Sequence, residues 1–152
     1  MAGFEMVGWE IGGLIGDLRW NTSCTIAGGM NQKAEELKAR TRRFLLEVIA
    51  LVKKFPMTVD ADIIGKQLIR SAAGVAGNYR SACRARSHAE FTAKIGVVLD
   101  EADESELWLS VVRDVPIDTS PQVERLRQEG MELCAIFYRA NLTARNRSTA
   151  RQ

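Results

Sequence analysis

The chain has 152 residues, 46% hydrophobic and 26% charged, an ordinary globular composition with room for one domain and a proper core but not for two. Its 21 Lys and Arg against 19 Asp and Glu leave a net charge of +2, too small a bias to name a partner. No run of 18 or more apolar residues exists to cross a membrane, and the three scattered cysteines, Cys24, Cys83 and Cys134, form no CxxC or Cys/His cluster, so the expectation is a soluble cytoplasmic protein without structural metal.

Residues 1–30 stand apart. They hold seven of the 12 glycines and two of the three tryptophans, and Gly12-Gly13 and Gly28-Gly29 interrupt any helix. Glu5 precedes the apolar stretch and Glu10 and Asp17 break it, which does not suit a secretory signal. The plain reading is an irregular Gly-rich leader; the sharper one is that translation starts at Met30, which leaves the leader outside the native protein.

From Asn31, a good N-cap, the pattern becomes helical. Leu37, Thr41, Phe44, Val48, Leu51 and Phe55 recur at three- and four-residue spacing, and Phe55-Pro56 ends a first helix of about 32–54. A second stripe runs Ile64, Leu68, Ala72, Val75, Tyr79 and Ala82, with Gly65, Gly74 and Gly77 inside it. Each glycine costs a lone helix about 1 kcal/mol against alanine, so packing must compensate, or a subunit or a phosphate must come close. Ser87-His88-Ala89-Glu90 reads as a capping box, placing a bend near 86–87 and a helix start at 88. The third helix shows Phe91, Ile95, Val98, Ala102, Ser105, Leu109 and Val112 and ends before Pro116. Ser120-Pro121 caps and opens the fourth, with Val123, Leu126, Gly130, Leu133, Phe137, Ala140 and Ala144 on one face. Four stripes on short connections predict an all-α, antiparallel up-down-up-down four-helix bundle over 31–147, followed by a disordered tail at 148–152.

Val97, Leu107, Trp108 and Val111 fall off the main stripe of the third helix and point to an oligomer interface, unless a broader core absorbs them.

Chemistry is harder to find. His88 is the only histidine and sits beside a capping serine. Cys83, near Arg80, Arg84 and Arg86, is either a thiol with a lowered pKa or an inert one. The acidic run Asp100-Glu101-Ala102-Asp103-Glu104-Ser105-Glu106 lacks the Glu-x-x-His elements of a bundle di-iron site, and neither a P-loop nor GxGxxG occurs. No catalytic residue, metal site or cofactor is therefore expected. If the second and third helices form a hairpin, Arg70 lies level with Asp103 and Glu104, and the acidic run serves ion pairing. Charge is also segregated: residues 61–99 carry six bases against two acids, and residues 100–118 seven acids against Arg113. Lys66, Arg70, Arg80 and Arg84 share a face of the second helix, with Arg86 at the bend. Such a face either contacts phosphates or is simply solvated.

The stretch Gly65-Lys-Gln-Leu-Ile-Arg-Ser-Ala-Ala-Gly-Val-Ala-Gly-Asn-Tyr-Arg80, with Ala82-Cys-Arg-Ala-Arg-Ser87, Ala89-Glu-Phe91, Lys94-Ile-Gly96, Glu101-Ala-Asp-Glu-Ser105 and Trp108-Leu109, resembles the four-helix bundle proteins encoded in 23S rRNA intervening sequences. The likeness covers about residues 31–145. The family's arginine, small residues and asparagine fall on Arg70, Ser71 and Asn78, while Tyr79-Arg-Ser-Ala replaces the more common apolar residue followed by Ala-Glu-Gly. The resemblance implies a ring-like homopentamer and kinship with the accessory variability proteins of diversity-generating retroelements, which bind nucleic acid and a reverse transcriptase. It implies no enzymatic activity. The expectation is a homo-oligomer that binds RNA or DNA through Arg80, Arg84, Arg86, Lys94, Arg70 and Lys66. The rival is a scaffold whose basic face meets an acidic protein.

Overall fold

The computed structural model describes residues 32–149, so the expectations for the leader, the Asn31 cap and residues 150–152 lie outside the described residues. Four helices follow in order: α1 Gln32–Val52, α2 Val59–Ala82, α3 His88–Asp114 and α4 Pro121–Thr149. The fourth continues through 148 and 149, two residues into the segment expected as a tail. None of these helices is long and apolar enough to cross a membrane. Each helix packs on its neighbours in sequence, and α1 closes back on α4, so α1 and α3 occupy opposite corners. This is the four-helix bundle that the four stripes imply.

The stripes form the core. Phe44, Val48, Leu51, Leu68, Val75, Tyr79, Ile95, Val98, Leu109, Leu126, Leu133 and Phe137 are all at most 2% exposed. Burying a side chain of this size is worth about 1.5–3 kcal/mol, so these residues supply the main drive for folding. Tyr79 meets Phe137 with ring centroids 5.3 Å apart and a tilt of 56°, joining α2 to α4 across the middle of the bundle. Between α2 and α3 the core carries one polar link: the Ser105 hydroxyl lies 3.0 Å from that of Ser71, both residues fully buried. Their backbone partners are the Leu68 and Glu101 carbonyls.

The caps depart from expectation in instructive ways. Ser87 does accept the Glu90 amide at 3.0 Å, but the Glu90 carboxylate reaches past the serine to take the Arg86 amide at 2.8 Å. Ser120 does not cap with its side chain. Among the described residues its hydroxyl has no partner, its carbonyl accepts the Val123 amide, and its amide donates to Asp118 at 2.7 Å. The first helix stops at Val52, because Lys54 and Phe55 bond to Leu51 and Val52 in a tighter turn ahead of Pro56.

The glycines divide as well. A Cβ on Gly65 would stand 2.7 Å from Val52 of α1, and one on Gly74 would run into the Glu101 side chain at 2.4 Å. Both allow close packing. Among the described residues nothing stands within 4 Å of a Cβ on Gly77, so packing among them does not explain it.

Candidate nucleic-acid interface

Antiparallel topology brings the end of α2, the start of α3 and the end of α4 to one end of the bundle. The clasp that shows this is His88: its Nε2 lies 2.8 Å from the Ala144 carbonyl, tying the first turn of α3 to the last turns of α4. The lone histidine is therefore engaged with backbone.

At this end Arg80 and Arg84 are exposed on the last turn of α2 and just beyond it, and Arg86 is exposed in the link. Arg139 and Arg145 are exposed on the last turns of α4, at the same end of the bundle but on the corner diagonal to α2. Among the described residues, no ion pair engages the side chains of Arg80, Arg84, Arg139 or Arg145. Arg86 stands 3.5 Å and Lys94 3.9 Å from Glu90, the acid of the α3 entry. Hydrogen bonding from the Arg86 amide, aided by the two cations, holds the Glu90 carboxyl below its usual range. Glu35 and Glu36 enter the same end on α1, and Glu35 is paired with Lys38.

The six cations read from sequence thus separate. Arg80, Arg84, Arg86 and Lys94 gather at one end. Arg70 instead pairs with Glu104, as the hairpin register implied, and Lys66 bonds Asp62 at 2.6 Å one turn away. Lys66 lies 18 residues before Arg84, about 27 Å along the helix. Arg139 and Arg145 were missed because no spacing within α4 links them to α2. The one hint in the sequence was six arginines against three acids after residue 121, and the chain reversal at 115–120 is what brings the end of α4 beside the start of α3. The structural alternative for cations here is the helix dipole, since α2 and α4 both end at this pole and their carbonyl ends favour positive charge.

The off-stripe apolar residues divide too. Val97 is 43% and Leu107 52% exposed, whereas Trp108 and Val111 are half-buried against the core. The Trp108 indole N–H donates to Glu104 at 3.1 Å, the carboxylate that also pairs with Arg70 of α2.

Nothing in the rest of the described surface assembles a reactive centre. Among the described residues no group of three His, Cys, Asp or Glu could hold a metal ion. A shallow cleft between α3 and α4 is lined by Asp103, Glu106, Arg127, Met131 and Cys134. Arg127 is already paired with Glu106 at 3.0 Å and Glu124 at 2.8 Å. Burial pushes the Cys134 thiol up to about 11, which keeps it protonated and a poor nucleophile.

Comparison with known proteins agrees with the fold. A family model described as the 23S rRNA-intervening sequence protein matches residues 33–139. Among solved structures, one similar chain is a protein of unknown function from the S23 ribosomal protein family of Bacteroides thetaiotaomicron VPI-5482. It is 25% identical, with a TM-score of 0.62 over 69% of this chain and 94% of that one. No curated protein matches the chain.

Proposed function

Since the chain belongs to the family of 23S rRNA-intervening sequence proteins, we propose that it is a non-enzymatic, homo-oligomeric bundle whose basic end binds RNA or DNA through phosphates. The observation that carries the reading is the set of four exposed arginines, Arg80, Arg84, Arg139 and Arg145, engaged in no ion pair among the described residues while most charges elsewhere on the bundle are matched. An arginine fork left unmatched on rigid helices can meet a phosphate bidentately at little ordering cost. Arg86 and Lys94 extend the surface, and Arg70 and Lys66 belong to it only where a ligand displaces Glu104 and Asp62. The half-buried thiols at Cys83 and Cys134 fit a reducing cytoplasm. The homopentameric state and a reverse transcriptase as a further partner follow the family resemblance.

Binding titrations across salt test this. If four arginines each neutralise one phosphate of a duplex, log K falls against log salt with a slope of about −3.6, and of about −2.8 for a single strand. R80E/R84E should reduce that slope by about half. Salt-independent binding, or none to any RNA or DNA, refutes the reading. Capture of an acidic protein by the same arginines, with no nucleic acid, would favour the scaffold role.

A further inference from the structure

The outer faces of α1 and α3 are complementary, and each is left partly unmatched within the chain. On α1, Arg42 and Lys53 are exposed and make no ion pair among the described residues, and between them Leu46 is 46% exposed beside exposed Ala50. On α3, Asp100 and Asp103 are exposed and likewise make no ion pair among the described residues, and Leu107, 52% exposed, follows one turn later. The two stripes also share their spacing. Setting Arg42 opposite Asp103 places Leu46 opposite Leu107, Ala50 opposite Val111 and Lys53 opposite Asp114, with the two helices parallel. Asp100, one turn before Asp103, lies within the reach of the same arginine. Asp114 is shared with Arg113 at 2.8 Å.

We infer that a second copy of this chain is the occupant: α1 of one subunit packs in parallel on α3 of the next. This rests on the homo-oligomeric reading above and names its surfaces. Charge complementarity selects the partner, since the α1 stripe is basic and apolar and the α3 stripe acidic and apolar. The geometry also sets the symmetry. As α1 and α3 sit on opposite corners, the two stripes face away from each other, so one contact cannot be its own reciprocal. The interface is heterologous and must propagate to a ring or a filament. Within one chain α1 and α3 run in the same direction, so a parallel contact keeps all bundles aligned. In a ring, every basic end then points to the same side.

Native mass spectrometry of the full chain and two charge-reversed variants tests this. The wild type should assemble beyond a dimer. R42E/K53E and D100K/D103K should each be monomeric, because like charges then face each other. Mixed in equal amounts, they should form mixed assemblies, from a heterodimer upward, that neither forms alone, which also shows that both are folded. Variants that keep the wild-type mass, or a mixture that stays monomeric, overturn the proposed surfaces and leave the oligomer standing. A wild-type monomer overturns the oligomeric reading and this inference with it, and a wild-type dimer overturns the heterologous arrangement alone.

Discussion

Replacing the buried serines with alanine, one at a time and together, tests whether the Ser71–Ser105 contact is a coupled pair. Each hydroxyl has the other at 3.0 Å and one backbone carbonyl of its own helix, Leu68 at 3.2 Å for Ser71 and Glu101 at 2.8 Å for Ser105. Either single replacement removes the cross-helix bond but leaves the remaining serine with its carbonyl. The expected loss is that of one ordinary hydrogen bond, about 1 kcal/mol. The double replacement sets two methyl groups where two hydroxyls met, and burying apolar groups of similar shape is close to neutral. S71A/S105A should therefore lose about 0–1 kcal/mol, not the sum of the singles, with a coupling of about 1 kcal/mol. Urea unfolding at one protein concentration reads this directly. For a slope of about 2 kcal/mol/M, each single variant moves the midpoint down by about 0.5 M and the double variant by no more. A double variant that loses the sum of the two singles, at an unchanged slope, would refute the pairing.

Further outcomes follow from other sites. Glu101 has one carboxylate oxygen buried against Gly74 with no hydrogen-bond partner among the described residues, and burial raises its pKa despite Arg70 nearby. Because the folded value lies above the unfolded one, the stability it contributes is complete below the unfolded carboxylate range and is lost as pH rises through the folded value. E101Q should melt higher than the wild type at pH 7 and no higher in acid, and an equal gain at both pH values contradicts this account. Gly77 lies in mid-helix with open space at its Cβ position, so G77A should stabilise the isolated subunit by about 1 kcal/mol, read as a Tm rise of about 4 °C. A lower Tm would show that some group does approach the glycine. With its pKa pushed up to about 11, Cys134 in a C24S/C83S background should react with a thiol reagent at pH 8 about 100-fold more slowly than free cysteine. Reaction at the free rate would mean that the thiol is not shielded.

Most of the fold was legible because a helix records its buried side every three or four residues. Leu68, Val75, Ile95 and Leu126 needed no tertiary information to be placed inside, since each lies on a stripe that only a common core can satisfy. The hairpin register was legible for a related reason: one tight bend at 86–87 fixes which residues lie level, so Arg70 met Glu104 as its position implied. Caps were legible in place but not in detail, as at Ser120, whose carbonyl takes the Val123 amide while its hydroxyl has no partner among the described residues. Periodicity left Trp108 off the stripe, and only the tertiary structure shows that its ring packs against the core while Glu104 accepts its N–H.

Local spacing therefore determined the helices, their inner faces and the connections that make them antiparallel. Tertiary structure decided which charges are matched between helices. Arg70 looks like Arg80 and Arg84 in the sequence and differs because Glu104 of α3 stands beside it, whereas the Lys66–Asp62 pair, four residues apart in α2, is local. In the same way Arg139 and Arg145 became part of the basic end through a chain reversal, and the stripe of α1 gained a counterpart only when α3 took the opposite corner. Pattern along a helix reports where a residue points. What it meets there depends on residues that are distant in sequence, and no local period encodes them.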